Sequence, residues 1–367
     1  MISREGGRKL KLGISIYTGD NYTHKSNIEY IEMTSSLGIR SMFTSLNISS
    51  DRNQTEKTME LIKYAKSKGL YTSVDVSSRV FDLLNIKPND LSAFHDIGID
   101  EIRLDYGFDA KTIAAMSNND IDMGIVLNAS TIEESDIEKL FFNGVNRRNI
   151  KACHNFYPRP FTGLSYSYYM KKTTMLQQHG IGVSAFIPSD TGKRGPLYEG
   201  LPTIETHRKI PSYIAAKQLI YDNVLDTIYI GDAYAKETEL ERILGIDPEV
   251  IELYVDIFDG ASETEEGILL RDYHTNRRDS SEYIVRSAES RGDHISTIEP
   301  SNCKEREYGS ITVDNVNMGR YMGELQIARA DLPSDPRVNV VGKVAKDHMM
   351  FLDYIEPGTK FRLIKSK

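Results

Sequence analysis

Short apolar runs alternate with amphipathic segments along the first part of the chain. The runs are rich in Ile, Val, Leu and Tyr, which is typical of strands buried on both faces of a parallel sheet. Eight of them predict eight strands, at Lys11–Thr18, Ser41–Ile48, Leu70–Val76, Glu101–Tyr106, Gly124–Ala129, Asn149–Asn155, Gly180–Ile187 and Thr227–Ile230.

The segments between these runs have helical character, and several end at a glycine just before the next run. Ser26, Thr131 and Thr203 are suitable N-cap residues for three of them. A strand–helix order repeated eight times predicts a closed (β/α)8 barrel of the TIM type, with a doubly wound open sheet as the alternative. The clearest helical segments are Asn27–Leu37, Thr55–Lys68, Thr131–Phe142, Tyr166–Gln178 and Glu205–Ile220.

The pattern changes from about Leu253, where helical periodicity fades and turn residues become frequent. We therefore assign residues 1–250 to the barrel and residues 251–367 to a small, β-rich second domain, an antiparallel barrel or sandwich. No low-complexity linker separates them, so we expect the domains to pack closely. The runs that predict strands here are Gly267–Tyr273, Tyr283–Val285, Ser310–Val313, Gly323–Arg329, Val338–Val344 and Lys360–Leu363.

Charge and composition narrow the functional classes. The formal net charge of -8 carries no basic face for nucleic acid and no polybasic membrane anchor. No apolar run approaches the roughly 18 residues of a membrane span, and the N-terminus lacks the apolar stretch of a signal peptide. These features predict a cytoplasmic protein. Cys153 and Cys303 could form one disulfide, but their spacing indicates neither a disulfide framework nor a zinc site.

The active site of such a barrel lies at the carboxyl ends of its strands. Buried carboxylates there need partners or a function. We therefore predict catalytic roles for Asp75, Asp105 and Asp232, although Asp105 could instead pair with Arg103, and Asp75 and Asp232 could be N-caps. Further strand-end residues predicted to bind substrate are Tyr17, Asn47, Arg103, Asn128, His154 and Asn155, with a buried structural histidine as the alternative for His154; Asp20 also lies near the first strand end.

The loop at residues 154–165 contains two prolines and precedes a helix. A glycine before a helix N-terminus lets main-chain N–H groups approach an anion, and a neighbouring arginine adds charge-assisted hydrogen bonds. Arg159 and Gly163 are therefore predicted to bind a phosphate or carboxylate. An ordinary rigid loop is the alternative.

The loop at residues 189–208 is longer than most barrel connections, and long loops in compact domains are often functional. Arg194 and Gly195 are predicted to hold an anionic group, with Lys193 beside them. Glu199, next to Tyr198, is a fourth catalytic candidate, an acid whose pKa an apolar neighbourhood would raise. An exposed loop of mixed charge is the alternative. The chain has no metal-ligand spacing, phosphate-binding loop, nucleophile elbow or dinucleotide motif, so we predict neither metal nor cofactor.

Three barrel motifs together resemble the bacterial 6-phospho-N-acetylmuramidase family. They are RLDYGF at 103–108, HNFYPRP with TGLS between 154 and 165, and RGPLYEGLPT at 194–203, and GRYMGEL at 319–325 extends the resemblance into the second domain. The resemblance implies a (β/α)8 barrel with a small cyclophilin-like β domain. It also implies an intracellular glycoside hydrolase of cell-wall recycling.

The implied substrate is an imported phosphorylated disaccharide, from which the enzyme separates 6-phospho-N-acetylmuramic acid and N-acetylglucosamine. Its phosphate and lactyl carboxylate would need cationic partners, and we expect Arg320 of the second domain to join Arg159 and Arg194 in that role. Two other hypotheses are a phosphosugar aldolase or epimerase and a non-catalytic phosphosugar- or peptide-binding protein. An aldolase or epimerase would normally place a lysine or a metal cluster at the strand ends, and neither occurs here. The sequence does not determine an oligomeric state.

Overall fold

The structure is a computed structural model that describes residues 10–19, 21–47, 52–279, 281–290 and 296–366. It contains two compact units, Met1–Ile246 and Asp247–Lys367. The first unit contains eight strands. They are β1 Lys11–Ser15, β2 Ser41–Ser45, β3 Tyr71–Val76, β4 Glu101–Leu104, β5 Gly124–Asn128, β6 Ile150–Cys153, β7 Gly182–Ile187 and β8 Thr227–Ile230.

Helices follow these strands in the first unit, and two short 3-10 helices lie at Arg147–Asn149 and Glu205–Lys209. The α-helices are α1 His24–Ser36, α2 Arg52–Ser67, α3 Ser78–Leu84, α4 Ser92–Ile97, α5 Ala110–Ser117, α6 Glu134–Phe142, α7 Tyr166–Gln178, α8 Ser212–Asp222 and α9 Glu237–Leu244. Among the described residues, no helix combines the length and the apolar character needed to cross a membrane.

The eight strands form a closed barrel in which each strand is parallel to the next, and β8 returns to pair with β1. Gly13 and Tyr229 are partners across this closing pair. A Cβ at Gly13 would lie 2.4 Å from Cδ1 of Tyr229, so only glycine leaves room for that ring in the barrel interior. The closure confirms the predicted (β/α)8 barrel and excludes the open sheet.

Inward-facing side chains fill the barrel in layers. Phe43, Val126, Cys153, Phe186 and Tyr229 form the central apolar layer, which is buried. Alternate residues along each strand share a face, so the inward positions two residues further on reach the carboxyl end of the barrel. This alternation decides which of the strand-end residues meet in the site.

Several local predictions need correction. The segment Glu205–Ile220 is not one helix, because Pro211 separates the 3-10 helix from α8 and serves as the N-cap of α8. The N-cap of α1 is Thr23, whose side chain accepts from the Ser26 N–H. Cys153 and Cys303 are both free thiols, so the disulfide is also ruled out.

The second unit is a seven-stranded mixed sheet with the strand order β10-β15-β9-β14-β12-β13-β11. The pair β9–β15 is parallel and the other pairs are antiparallel, so the expectation of a purely antiparallel domain was wrong. The β-rich character is confirmed. The strands are β9 Val250–Ile257, β10 His274–Thr275, β11 Ile284–Arg286, β12 Ser310–Asp314, β13 Leu325–Ala328, β14 Val338–Val344 and β15 Lys360–Lys365.

The run predicted as a strand at Gly267–Tyr273 instead overlaps the helix α10, Glu263–Leu269. Ser262 and Glu265 form a capping box at its start, each side chain accepting from the other residue's main-chain N–H. That reciprocal pair stabilises the first helical turn, and the short apolar run alone did not reveal it. Two 3-10 helices, Val316–Tyr321 and Lys346–Tyr354, complete this unit.

Candidate active site

An ion pair between adjacent strands lies at the carboxyl end of the barrel. Asp75 of β3 and Arg103 of β4 are register partners, and Nη1 of Arg103 donates to Oδ1 of Asp75 at 2.7 Å. The Arg103 side chain is 5% exposed and the Asp75 side chain 14%. Arg103 therefore pairs with Asp75, not with Asp105, and the N-cap alternative for Asp75 is replaced by this ion pair.

Side chains from two further strands complete a polar network around this pair. Oδ2 of Asp75 accepts from Nδ2 of Asn47 at 3.2 Å and from Oγ of Ser45 at 3.3 Å. Nη2 of Arg103 donates to Oδ1 of Asn155, which follows β6. The structure thus brings together four of the predicted residues, Asn47, Asp75, Arg103 and Asn155. Nε of Arg103 and Oδ1 of Asn47 are buried with no hydrogen-bond partner among the described residues.

Asp105 lies two residues beyond Arg103, and its main-chain N–H donates to the Val76 carbonyl at 3.0 Å. Its side chain is exposed at the mouth of the barrel. Partial burial raises the pKa of Asp105, the nearby charge of Asp75 raises it further, and Arg103 opposes both effects. A carboxyl group whose pKa is raised beside an ion-paired carboxylate has the properties of a general acid.

Asp232, after β8, is fully buried. Its Oδ1 accepts from the Arg194 N–H at 2.9 Å, and its Oδ2 accepts from the N–H groups of Ser189 at 2.9 Å and Leu201 at 3.3 Å. Burial raises the pKa of Asp232, while the three main-chain donors oppose that shift. Both oxygens are engaged by the β7–α8 loop, so the geometry gives Asp232 the task of holding that loop. Its predicted role as a catalytic carboxylate has no support from this arrangement.

Glu199 is exposed, so the apolar surroundings expected for it are not found. The adjacent Tyr198 is also exposed, with 54% of its surface accessible. Tyr198 instead contacts the β1–α1 loop, where its hydroxyl accepts from Nδ2 of Asn21 at 3.0 Å. Glu199 lacks apolar neighbours because this part of the β7–α8 loop faces solvent.

Arg194 lies over aromatic rings inside the mouth. Its guanidinium carbon is 4.4 Å from the Tyr17 ring centroid and 5.4 Å from that of Phe156. Its Nη1 is buried with no hydrogen-bond partner in the described part of the chain. A buried guanidinium nitrogen without a hydrogen-bond partner favours binding of an anion, because it can form a charge-assisted hydrogen bond.

Tyr17 supports this arginine and is not free to react. It is buried, and its hydroxyl donates to the Gly231 carbonyl at 2.7 Å. Burial raises its pKa to about 12, with the Arg194 charge opposing the shift. Phe156 packs against the central apolar layer of the barrel and against a second buried cluster of Tyr17, Leu201 and Ala233. The Tyr17 and Phe156 rings therefore hold Arg194 in place.

The main-chain donors that the sequence suggested for an anion are already used by the protein. The Gly195 N–H donates to the Tyr22 hydroxyl at 2.9 Å. The Gly163 N–H donates to Oε2 of Glu205 at 2.7 Å, and the Phe161 N–H donates to Oε1 at 2.8 Å. An internal carboxylate therefore occupies the Gly163 loop and a tyrosine hydroxyl takes the Gly195 N–H, so the geometry gives no support to the anion-binding roles predicted for these two glycines.

Arg208 completes this arrangement with its side chain 3% exposed. It donates to both Glu205 oxygens, at 2.7 and 2.8 Å, and to the carbonyls of Tyr157 at 2.8 Å and Gly200 at 2.9 Å. Arg208 thereby joins the β6–α7 loop to the β7–α8 loop. Arg159, in contrast, is exposed at the surface of the β6–α7 loop.

His154 points away from the barrel interior, because it is one residue out of phase with Cys153 and Asn155. Its Nδ1 is 3.2 Å from Oγ of Ser130 and its Nε2 is 3.0 Å from Oγ1 of Thr173. Burial lowers its pKa to about 3. His154 is buried between the barrel wall and α7, and this geometry gives no support to the substrate-binding role predicted for it.

Two clefts adjoin the mouth. One, of about 500 Å³, has Asp105 and Asn128 among its lining residues and extends between α5 and α6. The other, of about 660 Å³, lies beside the β1–α1 loop and includes Tyr22 and Lys57. Asn128 also accepts from the Ser130 N–H at 3.1 Å through its Oδ1. Asp20 lies outside the described residues.

Arg320 belongs to the second unit, where it is exposed and donates from Nη2 to the Tyr321 hydroxyl at 2.7 Å. Its contribution to the site stays a prediction. Within the described residues, no group of three or more His, Cys, Asp or Glu side chains is arranged to hold a metal ion.

Sequence reasoning missed Ser45, Phe156 and the Glu205–Arg208 pair. Ser45 could have been predicted from the sequence, because it shares the inward face of β2 with Phe43 and Asn47. The pairing of Glu205 with Arg208 has an i, i+3 spacing that is too common to indicate a loop contact. Phe156 carries no signal in the sequence that distinguishes it from other loop aromatics.

The fold and site together define a two-unit (β/α)8-barrel protein with aspartates and arginines at the barrel mouth. The chain belongs to the 6-phospho-N-acetylmuramidase family. Residues 12–244 match the N-terminal model of that family and residues 251–364 its C-terminal model.

Two similar crystal structures come from proteins without an assigned function. An uncharacterized protein from B. cereus is 34% identical, with 98% of this chain and 99% of that chain covered and a TM-score of 0.85. A conserved protein of unknown function from Enterococcus faecalis is 31% identical, with 97% and 96% covered and a TM-score of 0.75. A search of curated proteins finds no match.

Proposed function

We propose that this protein is a glycoside hydrolase that separates 6-phospho-N-acetylmuramic acid from N-acetylglucosamine in a phosphorylated disaccharide. Membership of the 6-phospho-N-acetylmuramidase family supports the substrate class. The observation that carries the chemistry is the pair of aspartates, Asp75 and Asp105, on neighbouring strands around Arg103. We further propose that the reaction serves cell-wall recycling inside the cell.

Glycoside hydrolysis needs one carboxylic acid and one carboxylate on opposite sides of the scissile bond. Asp105 is the acid in this proposal, since its raised pKa favours the protonated form. It gives its proton to the glycosidic oxygen as the bond from that oxygen to C1 breaks, which releases N-acetylglucosamine. Water supplies the hydroxyl on C1 and the proton that restores Asp105.

Asp75 is the second carboxylate, acting as the nucleophile or as the base for the water. Its ion pair with Arg103 and its hydrogen bonds from Asn47 and Ser45 fix its orientation. Preorganised donors of this kind need no rearrangement when positive charge develops on the sugar ring.

Arg194 provides the binding site for an anionic group of the muramic acid ring, either the 6-phosphate or the lactyl carboxylate. Its unsatisfied Nη1 offers a desolvated donor, and the Tyr17 and Phe156 rings hold the guanidinium in place. Lys193, the preceding residue, adds positive charge on the same loop.

The test is release of N-acetylglucosamine from the 6-phosphorylated disaccharide, with the unphosphorylated disaccharide as the comparison. We expect cleavage of the phosphorylated form and at least a tenfold lower kcat/KM for the other. Asp75→Asn and Asp105→Asn should each lower kcat by about 100-fold or more while ligand affinity persists. Asp96→Asn removes an exposed carboxylate of α4 and serves as the control.

Binding of the phosphorylated disaccharide without any turnover would identify a sensor protein and contradict the proposal. Equal cleavage of the two substrates would contradict a 6-phosphate site at Arg194 and the expected preference for the phosphorylated disaccharide. Retention of full turnover in both aspartate variants would contradict the catalytic assignment.

A further inference from the structure

A cleft of about 500 Å³ opens beside Asp105 and runs outward between α5 and α6. Its inner end is formed by Asp105 and Asn128, at the ends of β4 and β5. The cleft is therefore continuous with the carboxyl group that the proposed function uses as its acid. Neither the phosphate nor the lactyl group of the substrate is assigned to this space.

The walls of the cleft combine apolar and hydrogen-bonding surface. Leu104, Ile113 and Leu127 contribute apolar side chains. Tyr106 also lines the cleft and is 59% exposed, so one face of its ring is open to a ligand. Nδ2 of Asn128 has no hydrogen-bond partner among the described residues and can donate to a hydroxyl or carbonyl oxygen.

The charges in the cleft are mostly negative. Among the described residues that line it, Asp105, Asp109 and Asp136 are acidic and Lys139 is basic. Lys139 already pairs with Asp136 at 3.0 Å. A phosphorylated or carboxylated ring would meet repulsion in this cleft, whereas a neutral sugar would not.

We propose that this cleft receives the leaving group of the reaction, a neutral N-acetylated amino sugar. This assignment rests on the proposed function, because a general acid must contact the oxygen of the group that leaves. Asp105 lines the cleft, so the leaving sugar lies on that side and the anionic ring lies toward Arg194. The acetamido methyl group packs on the apolar wall, and Asn128 donates to a polar atom of the sugar.

Ile113→Trp tests the assignment by filling the cleft from α5. The substrates are the phosphorylated disaccharide and 6-phospho-N-acetylmuramyl fluoride, whose leaving group is a single atom that needs no cleft. We expect Ile113→Trp to raise KM for the disaccharide at least tenfold and to change kcat/KM for the fluoride less than twofold. Ala115→Trp, at an exposed position of the same helix that does not line the cleft, is the matched control.

Thr131→Trp narrows the same cleft from an exposed position after β5. It should produce the same difference between the disaccharide and the fluoride even if Ile113→Trp folds poorly. Inhibition by free N-acetylglucosamine should weaken at least tenfold in both variants. A wild-type protein that cleaves neither substrate would overturn the proposed function and this assignment with it. A wild type that cleaves both, with cleft variants that affect both equally or neither, would overturn the assignment alone.

Discussion

Asp75 and Arg103 face each other across β3 and β4, with 2.7 Å between Oδ1 and Nη1. Both side chains are largely withdrawn from solvent, at 14% and 5% exposure. Opposite charges in such a place stabilise each other, and either one alone would be an uncompensated charge inside the barrel. The pair therefore links the chemistry of the site to the stability of the fold.

Removing the charge of Arg103 alone should lower the free energy of unfolding more than removing the charges of both Arg103 and Asp75. Arg103→Gln leaves Asp75 unpaired, and we expect the free energy of unfolding to fall by about 3 kcal/mol. The double variant Asp75→Asn/Arg103→Gln should recover at least half of that loss. Urea denaturation at pH 7 measures both values. Lys68→Gln breaks the exposed Lys68–Glu32 pair and should lower the stability only slightly. Additive losses in the double variant would refute the coupling between Asp75 and Arg103.

Glu205 should protect the β6–α7 loop in a pH-dependent manner. Its hydrogen bonds with Arg208 lower its pKa to about 2, assisted by the N–H groups of Phe161 and Gly163 and opposed by partial burial. An acid with a lowered pKa in the folded state contributes stability above its ordinary pKa, and that contribution is lost as the pH falls toward the folded value. The relevant window is thus roughly pH 5 to pH 2.

We expect Glu205→Gln to cost about 2 kcal/mol at pH 7, after allowance for solvent screening. The difference from wild type should shrink steadily as the pH is lowered from 5 to 3 in urea denaturation. Glu60→Gln, at an exposed position of α2, should show no such trend. A difference that stays constant with pH would mean that the carboxylate charge does not hold the loop.

The eight barrel strands could be predicted because each is buried on both faces and therefore reads as a continuous apolar run. The candidate catalytic carboxylates followed from the rule that barrel sites lie at strand carboxyl ends. Asp75 and Asp105 meet that rule in the structure. Asp232 also lies at a strand end, yet its side-chain oxygens accept hydrogen bonds from main-chain N–H groups of the β7–α8 loop.

Loop contacts were the part that sequence reasoning could not supply. Gly163 lies before a helix, which favours an anion site, but the anion is Glu205, 42 residues further along the chain. The pairing of Asp75 with Arg103 also depends on strand register, which a run of apolar residues does not specify. The outward orientation of His154 could be predicted, because its position one residue out of phase with Asn155 indicates the outer face of the barrel.

His154 should make the fold sensitive to acid without contributing to binding. Its pKa is lowered to about 3, chiefly by burial, so the folded state does not take up a proton that the unfolded state binds below about pH 6.5. Stability therefore falls as the pH drops from about 6.5 toward 3, by about 2 kcal/mol from this residue at pH 5. In the variant His154→Gln, that acid-dependent loss should be absent.

The measurement is the free energy of unfolding of wild type and His154→Gln between pH 5 and pH 8. Glutamine at this position should cost about 1 kcal/mol at pH 8 through poorer hydrogen bonding to Ser130 and Thr173, and the gap should close or reverse at pH 5. His95→Gln, at an exposed position of α4, is the control for the loss of a histidine. A rise of more than threefold in KM for the folded variant would restore His154 as a binding residue.

Arg194 should determine the preference for an anionic sugar. Its buried Nη1 lacks a partner among the described residues, so a hydrogen bond from it to an anionic oxygen would break no internal bond. Arg194→Met keeps the apolar contact with the rings of Tyr17 and Phe156 but removes the charge. We expect KM for the phosphorylated disaccharide to rise about 30-fold or more, equivalent to about 2 kcal/mol or more of lost binding, with a smaller change in kcat.

The change in preference between the phosphorylated and unphosphorylated disaccharides identifies the group that Arg194 binds. If the guanidinium holds the 6-phosphate, the Arg194→Met variant will treat the phosphorylated and unphosphorylated disaccharides alike. If it holds the lactyl carboxylate, both substrates will weaken by the same factor and the preference for phosphate will persist. Arg148→Met removes an equal charge from an exposed position before β6, at the opposite end of the barrel, and controls for the net charge of the protein. An unchanged KM for both substrates in Arg194→Met would contradict the anion site. Loss of a buried arginine that binds the substrate must weaken substrate binding.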